Sequence, residues 1–233
     1  MAKKSPAKPG FAKSLFEFLM DLEENNDRGW FEENKSRYED EVRGPALAFI
    51  QGMRTPLKRV SPHFVASDKK VGGSLMRIHR DVRFSKNKQP YKTNVGIQFR
   101  HELGKDVHAP GFYIHLHPDE CFLGIGMWHP PADALQAIRA AIDDRPAAWK
   151  KARDDKKFRA AFHLAGDSLK KPPRGYDKEH PLLDDLKRKD FIAVKNFTRS
   201  AALKRDFLEQ VANDFHAARP FMRFLCQAVH IPF

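Results

Sequence analysis

Cysteine is nearly absent from this chain of 233 residues: Cys121 and Cys226 are the only two. Two thiols cannot make a disulfide framework or a thiolate zinc site, which excludes a secreted disulfide scaffold and a zinc ribbon. Long apolar runs are missing as well, and none approaches the ~20 residues of a membrane-spanning helix. The first ten residues are basic but have no apolar stretch behind them, so they do not read as a signal peptide. A cytoplasmic globular protein with no membrane partner is what these absences leave. Tyrosine and tryptophan are scarce, four and three against nineteen phenylalanines, so phenyl rings are expected to fill the core. There is no Gly-x-Ser-x-Gly elbow, P-loop or dinucleotide-binding glycine pattern.

Acidic residues are in the minority, 30 against 42 lysines and arginines. The imbalance is uneven along the chain. Residues 14–41 hold ten acids and three bases, whereas residues 42–116 hold fourteen bases and four acids. An acidic N-terminal helix pair is therefore expected to precede a strongly basic middle, and a basic middle points to anionic partners.

Residues 1–12 lack periodicity and read as a disordered basic tail, followed by a single α+β domain over residues 13–233. Ser14 to Glu17 has capping-box spacing, with Leu15, Leu19 and Leu22 at helical intervals behind it. Asp27 is placed as a second N-cap, and Gly44-Pro45 should break the next helix and start another through about Val60. After Gly72-Gly73 the period changes to two. Met76, Ile78, Val82 and Phe84 alternate with Arg77, His79, Asp81 and Arg83. Three more alternating runs follow, centred on Ile97, Ile114 and Ile125. Asp190 to Val194 can add a further strand. Helices resume after Pro130-Pro131, with residues 146–164 inward at Trp149 and Phe158, and two more lie at about 199–216 and 220–229. The expected fold is α+β: an antiparallel meander of four to five strands, with the N- and C-terminal helices packed on one face.

If the helices cover the apolar face, the other face carries the chemistry. Arg77, His79 and Asp81 would share one strand face, and Tyr113, His115 and His117 another. Gly96, Gly124 and Gly126 would leave an open floor bounded by Phe122 and Trp128, a pattern that suits close approach by a ligand. Between residues 77 and 94 the chain packs six cations and one acid. Arg77, Arg83, Lys88 and Lys92 can converge on an anion, with Tyr91 beside them; Arg80 falls on the inward side and is expected to pair with a carboxylate. The loop from Lys170 to Tyr176 is placed to cover the open face, bringing Arg174. His115-x-His117 is a weak metal motif that His79 or Asp81 would have to complete. Cys121 and Cys226 read as buried thiols.

The stretch Arg77, Arg80-Asp81, Arg83-Phe84, Asn87-Lys88 and Tyr91 resembles the signature of a bacterial family known as domain of unknown function family 2461. Phe112-Tyr113, Gly124 to Pro130 and Pro173-Arg174-Gly175-Tyr176 resemble it too, and the likeness spans about residues 11–230. It implies one compact domain and no particular activity, cofactor or catalytic residue.

The leading functional expectation is a basic pocket on the open sheet face that binds a phosphorylated or other anionic small molecule. An enzyme built on it would use His79 or Asp81 as acid or base. Two other readings use the same residues. One is an RNA- or DNA-binding module that stacks bases on Tyr113, Phe122 and Trp128. The other is a metal-dependent enzyme centred on His115 and His117. No cofactor is indicated.

Overall fold

The computed structural model describes residues 10–104 and 108–233. In chain order the helices are α1 (Lys13–Glu24), α2 (Arg28–Glu33), α3 (Lys35–Arg37), a π-helical turn at Tyr38–Arg43, and α4 (Gly44–Val60). Strands β1 (Phe64–Val65), β2 (Val95–His101), β3 (Gly111–Leu116) and β4 (Cys121–Met127) come next. Then follow α5 (Ala132–Asp144), α6 (Pro146–Arg153), α7 (Lys156–Ala161), β5 (His163–Ala165), α8 (Leu183–Leu186), β6 (Phe191–Phe197), α9 (Arg199–Ala202), α10 (Phe207–Ala217) and α11 (Arg219–Ala228). The fold is α+β. Its sheet has the order β1-β2-β3-β4-β6-β5, antiparallel throughout, with six strands rather than four or five.

Alternation decides which face of the sheet is buried. Val95, Ile97 and Phe99 of β2, Phe112 and Ile114 of β3, Leu123 and Ile125 of β4 and Phe191 and Ala193 of β6 all turn to the helices. Phenyl rings fill that layer as the composition implied: Phe215 of α10 meets Phe99 and Phe112, and Trp149 of α6 meets Phe191 of β6 and Phe221 and Phe224 of α11. The buried apolar residues form one continuous cluster that includes both cysteines. Burial drives the Cys226 thiol up to about 12, which leaves it an inert core side chain.

Several local expectations fail for identifiable reasons. Residues 76–84 are not a strand. Ser74 to Met76 lie along the free edge of β2, with Met76 N–H donating to Gly96 and Gln98 N–H to Ser74. Beyond that point the chain leaves the sheet and pairs with itself, Arg80 N–H donating to Pro90 and Lys92 N–H to Ile78. Val82 and Phe84 therefore have no core to face, and Phe84 is 96% exposed. Gly44-Pro45 does not break the helix, because the widened turn at Tyr38–Arg43 runs directly into α4 with Pro45 in its first turn. Ser14 does not cap α1, whose N-cap is Ala12; Asp27 does cap α2, accepting from Trp30 N–H.

The stretch 146–164 divides into α6, α7 and β5. The tail expectation is corrected where it can be seen: residues 1–9 lie outside the described residues, but Phe11 is buried, donates its N–H to Ala202 and stacks on Phe49. The acidic N-terminal segment meets its charge locally, through Lys35–Glu32, Arg37–Asp21, Arg37–Glu41 and Arg43–Glu39.

Candidate functional site

The strand register stacks the open-face residues in rows. Gly96, His115, Phe122 and Asn196 form one row; Gln98, Tyr113, Gly124 and Val194 the next; Arg100, Gly111, Gly126 and Ile192 the third. A cavity of about 400 Å3 opens over the last two rows. Its floor is Gly111, Gly124 and Gly126, and its walls include Met76, Tyr113, Phe122, Trp128, Ile192 and Val194, with Gln98 as a polar member.

Two of these glycines differ in cause. Gly126 has φ +110°, and a Cβ there would lie 2.1 Å from the Phe191 carbonyl oxygen, so the backbone itself requires glycine. Gly124 has neither constraint: a Cβ would meet only Tyr113 and Phe122 at 3.7–3.8 Å, an ordinary contact. A strand-interior glycine without a packing reason marks a surface left low for something else.

The cavity grades into a polar end along β3. The Tyr113 hydroxyl lies within hydrogen-bond distance of His115 Nδ1 at 3.1 Å, and Asn94 Nδ2 approaches the same nitrogen at 3.5 Å. The His115 ring stacks on Phe122, with centroids 4.7 Å apart. Burial pushes the Tyr113 phenol up to about 12 and holds the His115 imidazole below its ordinary value, so both are neutral near pH 7. His117 is engaged on both nitrogens: Nδ1 accepts from Asp119 N–H, and Nε2 faces Thr93 at 3.3 Å and Glu23 at 4.0 Å.

At the other end Trp128 forms a half-exposed rim between His108 and His129. The buried Asp190 carboxylate sets this rim. It accepts from His129 N–H and Asp167 N–H and touches His129 Nδ1 at 3.2 Å, holding His129 at φ 45°.

The expected cations do not gather here. None of Arg77, Arg83, Lys88, Lys92 or Arg174 lines the cavity. Arg83 is clamped to Asp81 by two side-chain hydrogen bonds of 2.9 and 2.7 Å, and Lys88 donates to the Val82 carbonyl. That clamp pulls the Asp81 carboxyl down to about 2, which removes it as an acid or base near neutrality. Arg77 and His79 line a different groove of about 280 Å3, together with Phe31, Tyr38, Lys69 and Lys70.

Tyr91 is not a ligand-facing residue. Its ring is buried flat against Phe31 at 4.1 Å, and Asn26 holds its backbone, donating to the Tyr91 carbonyl and accepting its N–H. Arg80 is half-buried and forms no ion pair among the described residues, contrary to the expected carboxylate partner. The 170–190 loop packs on α5 instead of the open face: His180 bonds Asp143, Arg139 bonds the Leu186 and Arg188 carbonyls, and Arg174 stays exposed. His79 and Asp81 do not join His115 and His117, and the described residues contain no cluster of three metal-ligating side chains.

Tyr113 and Trp128 meet at the cavity with Gly124 and Gly126, but Gly96, expected in the floor, lies under Met76 and Tyr113, and Gly111 takes its place. Met76, Gln98, Ile192, Val194 and the supporting Asp190 were missed. Ile192 and Val194 alternate with Phe191 and Ala193, so their shared face was visible, but only the pairing of β6 with β4 brings them to the cavity.

The model of a family described as "Conserved hypothetical protein (DUF2461)" matches residues 14–224, and the chain belongs to that family. Neither the curated proteins nor the solved structures provide a match.

Proposed function

For this member of the DUF2461 family we propose a binding role for the open sheet face: it takes a small organic anion by a flat apolar part laid on the glycine floor. The observation that carries this is Gly124, kept without a Cβ at the bottom of a cavity walled by Tyr113, Phe122, Trp128 and Met76 although neither backbone nor packing demands it. Apolar walls give such a ligand its burial, and Gln98 and the neutral His115–Tyr113 pair offer polar contacts at one side.

Support for a negative charge on the ligand comes from Arg77 and Lys92. Burial and then the nearby Arg77 charge hold Lys92 below the ordinary lysine range, and neither cation forms an ion pair among the described residues. Two like charges held together without a counter-ion favour an anion between them. Neither side chain lines the cavity, and Arg77 faces the neighbouring groove with Lys69 and Lys70, so the two act from beside it: Arg77 follows Met76 of the cavity wall, and Lys92 precedes Thr93 and Asn94. Stacking of nucleic-acid bases is served less well, because of Tyr113, Phe122 and Trp128 only Trp128 is exposed.

The test is Trp128 fluorescence during titration with aromatic carboxylates and aryl phosphates, alongside their neutral analogues, with Trp128→Phe as the signal control. Aromatic anions should quench it saturably. Gly124→Val should abolish binding while near-ultraviolet circular dichroism stays native, and Lys92→Gln should weaken the anions but not the neutral analogues. Undiminished binding in a folded Gly124→Val variant would overturn the proposal, as would a panel that never perturbs Trp128.

A further inference from the structure

A larger concavity, about 460 Å3, lies on the helical layer, on the far side of the sheet from the open face. It is walled by α6 and the start of α7 on one side and by the α10–α11 junction on the other. Its charged lining consists of Lys151, Lys157, Arg219 and Arg223, with His216 and a single acid, Asp155. The floor between them is made of small or apolar residues, among them Ala148, Ala152, Ala217 and Pro220.

The one acid is already in use. Asp155 caps α7, accepting the N–H groups of Lys157 and Phe158. None of the four cations forms an ion pair among the described residues, whereas the neighbouring Arg153 pairs with both Asp154 and Asp185. Two of the four are held in place by other means. Arg219 Nη1 donates to His216 Nε2 at 3.3 Å, and the Arg223 guanidinium lies over the Phe233 ring, 5.4 Å from its centroid. Arg219 Nε is buried and has no hydrogen-bond partner. A buried guanidinium N–H without an acceptor is unfavourable, and so is the mutual repulsion of four positive groups around one hollow. A single oxyanion relieves the repulsion: two of its oxygens suit the planar fork of an arginine, and its charge suits the lysines as point cations.

We infer that the cleft between α6–α7 and the α10–α11 junction is a binding site for a phosphate-class oxyanion, separate from the open-face cavity. A phosphoryl or diphosphoryl group matches it better than a carboxylate, because four cations exceed the charge of one carboxylate and several acceptor oxygens are needed to engage them.

The experiment is calorimetric titration of the full chain with inorganic diphosphate, and separately inorganic phosphate, against chloride at constant ionic strength. Diphosphate should bind with a submillimolar dissociation constant and raise the melting temperature. Arg223→Gln and Lys151→Gln change exposed side chains, so they should fold normally and each weaken diphosphate at least fivefold. Arg219→Met should weaken it most, provided its circular dichroism is native. Gly124→Val and Lys92→Gln should leave diphosphate binding unchanged, which separates this site from the open face. The inference is overturned if diphosphate at 10 mM gives neither heat nor a melting shift. It is equally overturned if Lys92→Gln weakens diphosphate while Arg223→Gln does not, or if a twelve-base oligonucleotide binds through these residues and diphosphate fails to compete.

Discussion

The open face of the sheet and the basic segment from Arg77 to Lys92 both adjoin β2, yet they use their residues in opposite ways. On the open face each side chain is aimed by strand register, so residues far apart in sequence, such as Met76, Tyr113 and Val194, close around one hollow. In the basic segment the strongest groups are turned on one another: Arg83 grips Asp81, Lys88 bonds the Val82 carbonyl, and Tyr91 is sunk against Phe31. A dense run of charged residues is thus compatible with a locally self-satisfied loop, while the better-formed hollow is marked by missing side chains. Of the family-like motif in this segment, Tyr91 is the residue that docks it, held by Asn26 between α1 and α2 and by Phe31 of α2.

The contrast can be broken hardest at Gly126. Gly126→Val should destabilise by about 4 kcal/mol or more, because it combines a left-handed backbone with a clash against the Phe191 carbonyl. Gly124→Ala, two residues earlier on the same face, should be nearly neutral, within about 0.5 kcal/mol. Urea denaturation of the pair checks both. If Gly124→Ala were as damaging as Gly126→Val, the floor would be a packing requirement and not a reserved space.

Next in size is Tyr91. Tyr91→Ala removes a buried ring and should cost about 3 kcal/mol, whereas Arg83→Gln, on the exposed side of the same segment, should lower the urea midpoint only slightly. Equal losses would mean that the Asp81–Arg83 clamp, and not the docked ring, holds the segment.

The smallest effect is read in pH. Burial keeps His115 and His101 below their ordinary value of 6.5, so as pH falls the unfolded chain takes up protons first. The stability carried by these neutral rings is complete above about 6.5 and is lost as pH drops below it. Asp81 has the same sign in another window: its contribution is present above 3.8 and lost only as pH falls towards about 2. Between pH 7 and 5 the urea midpoint should therefore fall, and His115→Phe should flatten that slope while Asp81→Asn should not.

Much of this was legible before any coordinates. The strands around Ile97, Ile114 and Ile125 declared themselves because one face of each is pressed against helices, which enforces a period of two. Gly124 and Gly126, with Phe122 and Trp128 at their edges, followed from the same parity, whereas Gly111 in place of Gly96 did not. Residues 76–84 carry that parity too, but alternation cannot say whether a partner strand exists, and beyond Met76 none does. Strands β1 and β5, of two and three residues, are too short for any period to show. The cleft cations come from residues 151–157 and 219–223, which only the packing of α6 against α11 brings together.

The brevity of β1 and β5 also bears on how copies of the chain meet one another. They are the two outermost strands of the sheet, and the stretch of β2 that β1 leaves bare is taken by Ser74 to Met76. A long bare border would offer a ladder of N–H and C=O groups on which a strand from another molecule could template, the usual opening for aggregation. Here that ladder is only a few rungs long on either side. Extension of the sheet from chain to chain has only those few rungs to start from, which favours side-chain surfaces over strand pairing where copies of this protein meet.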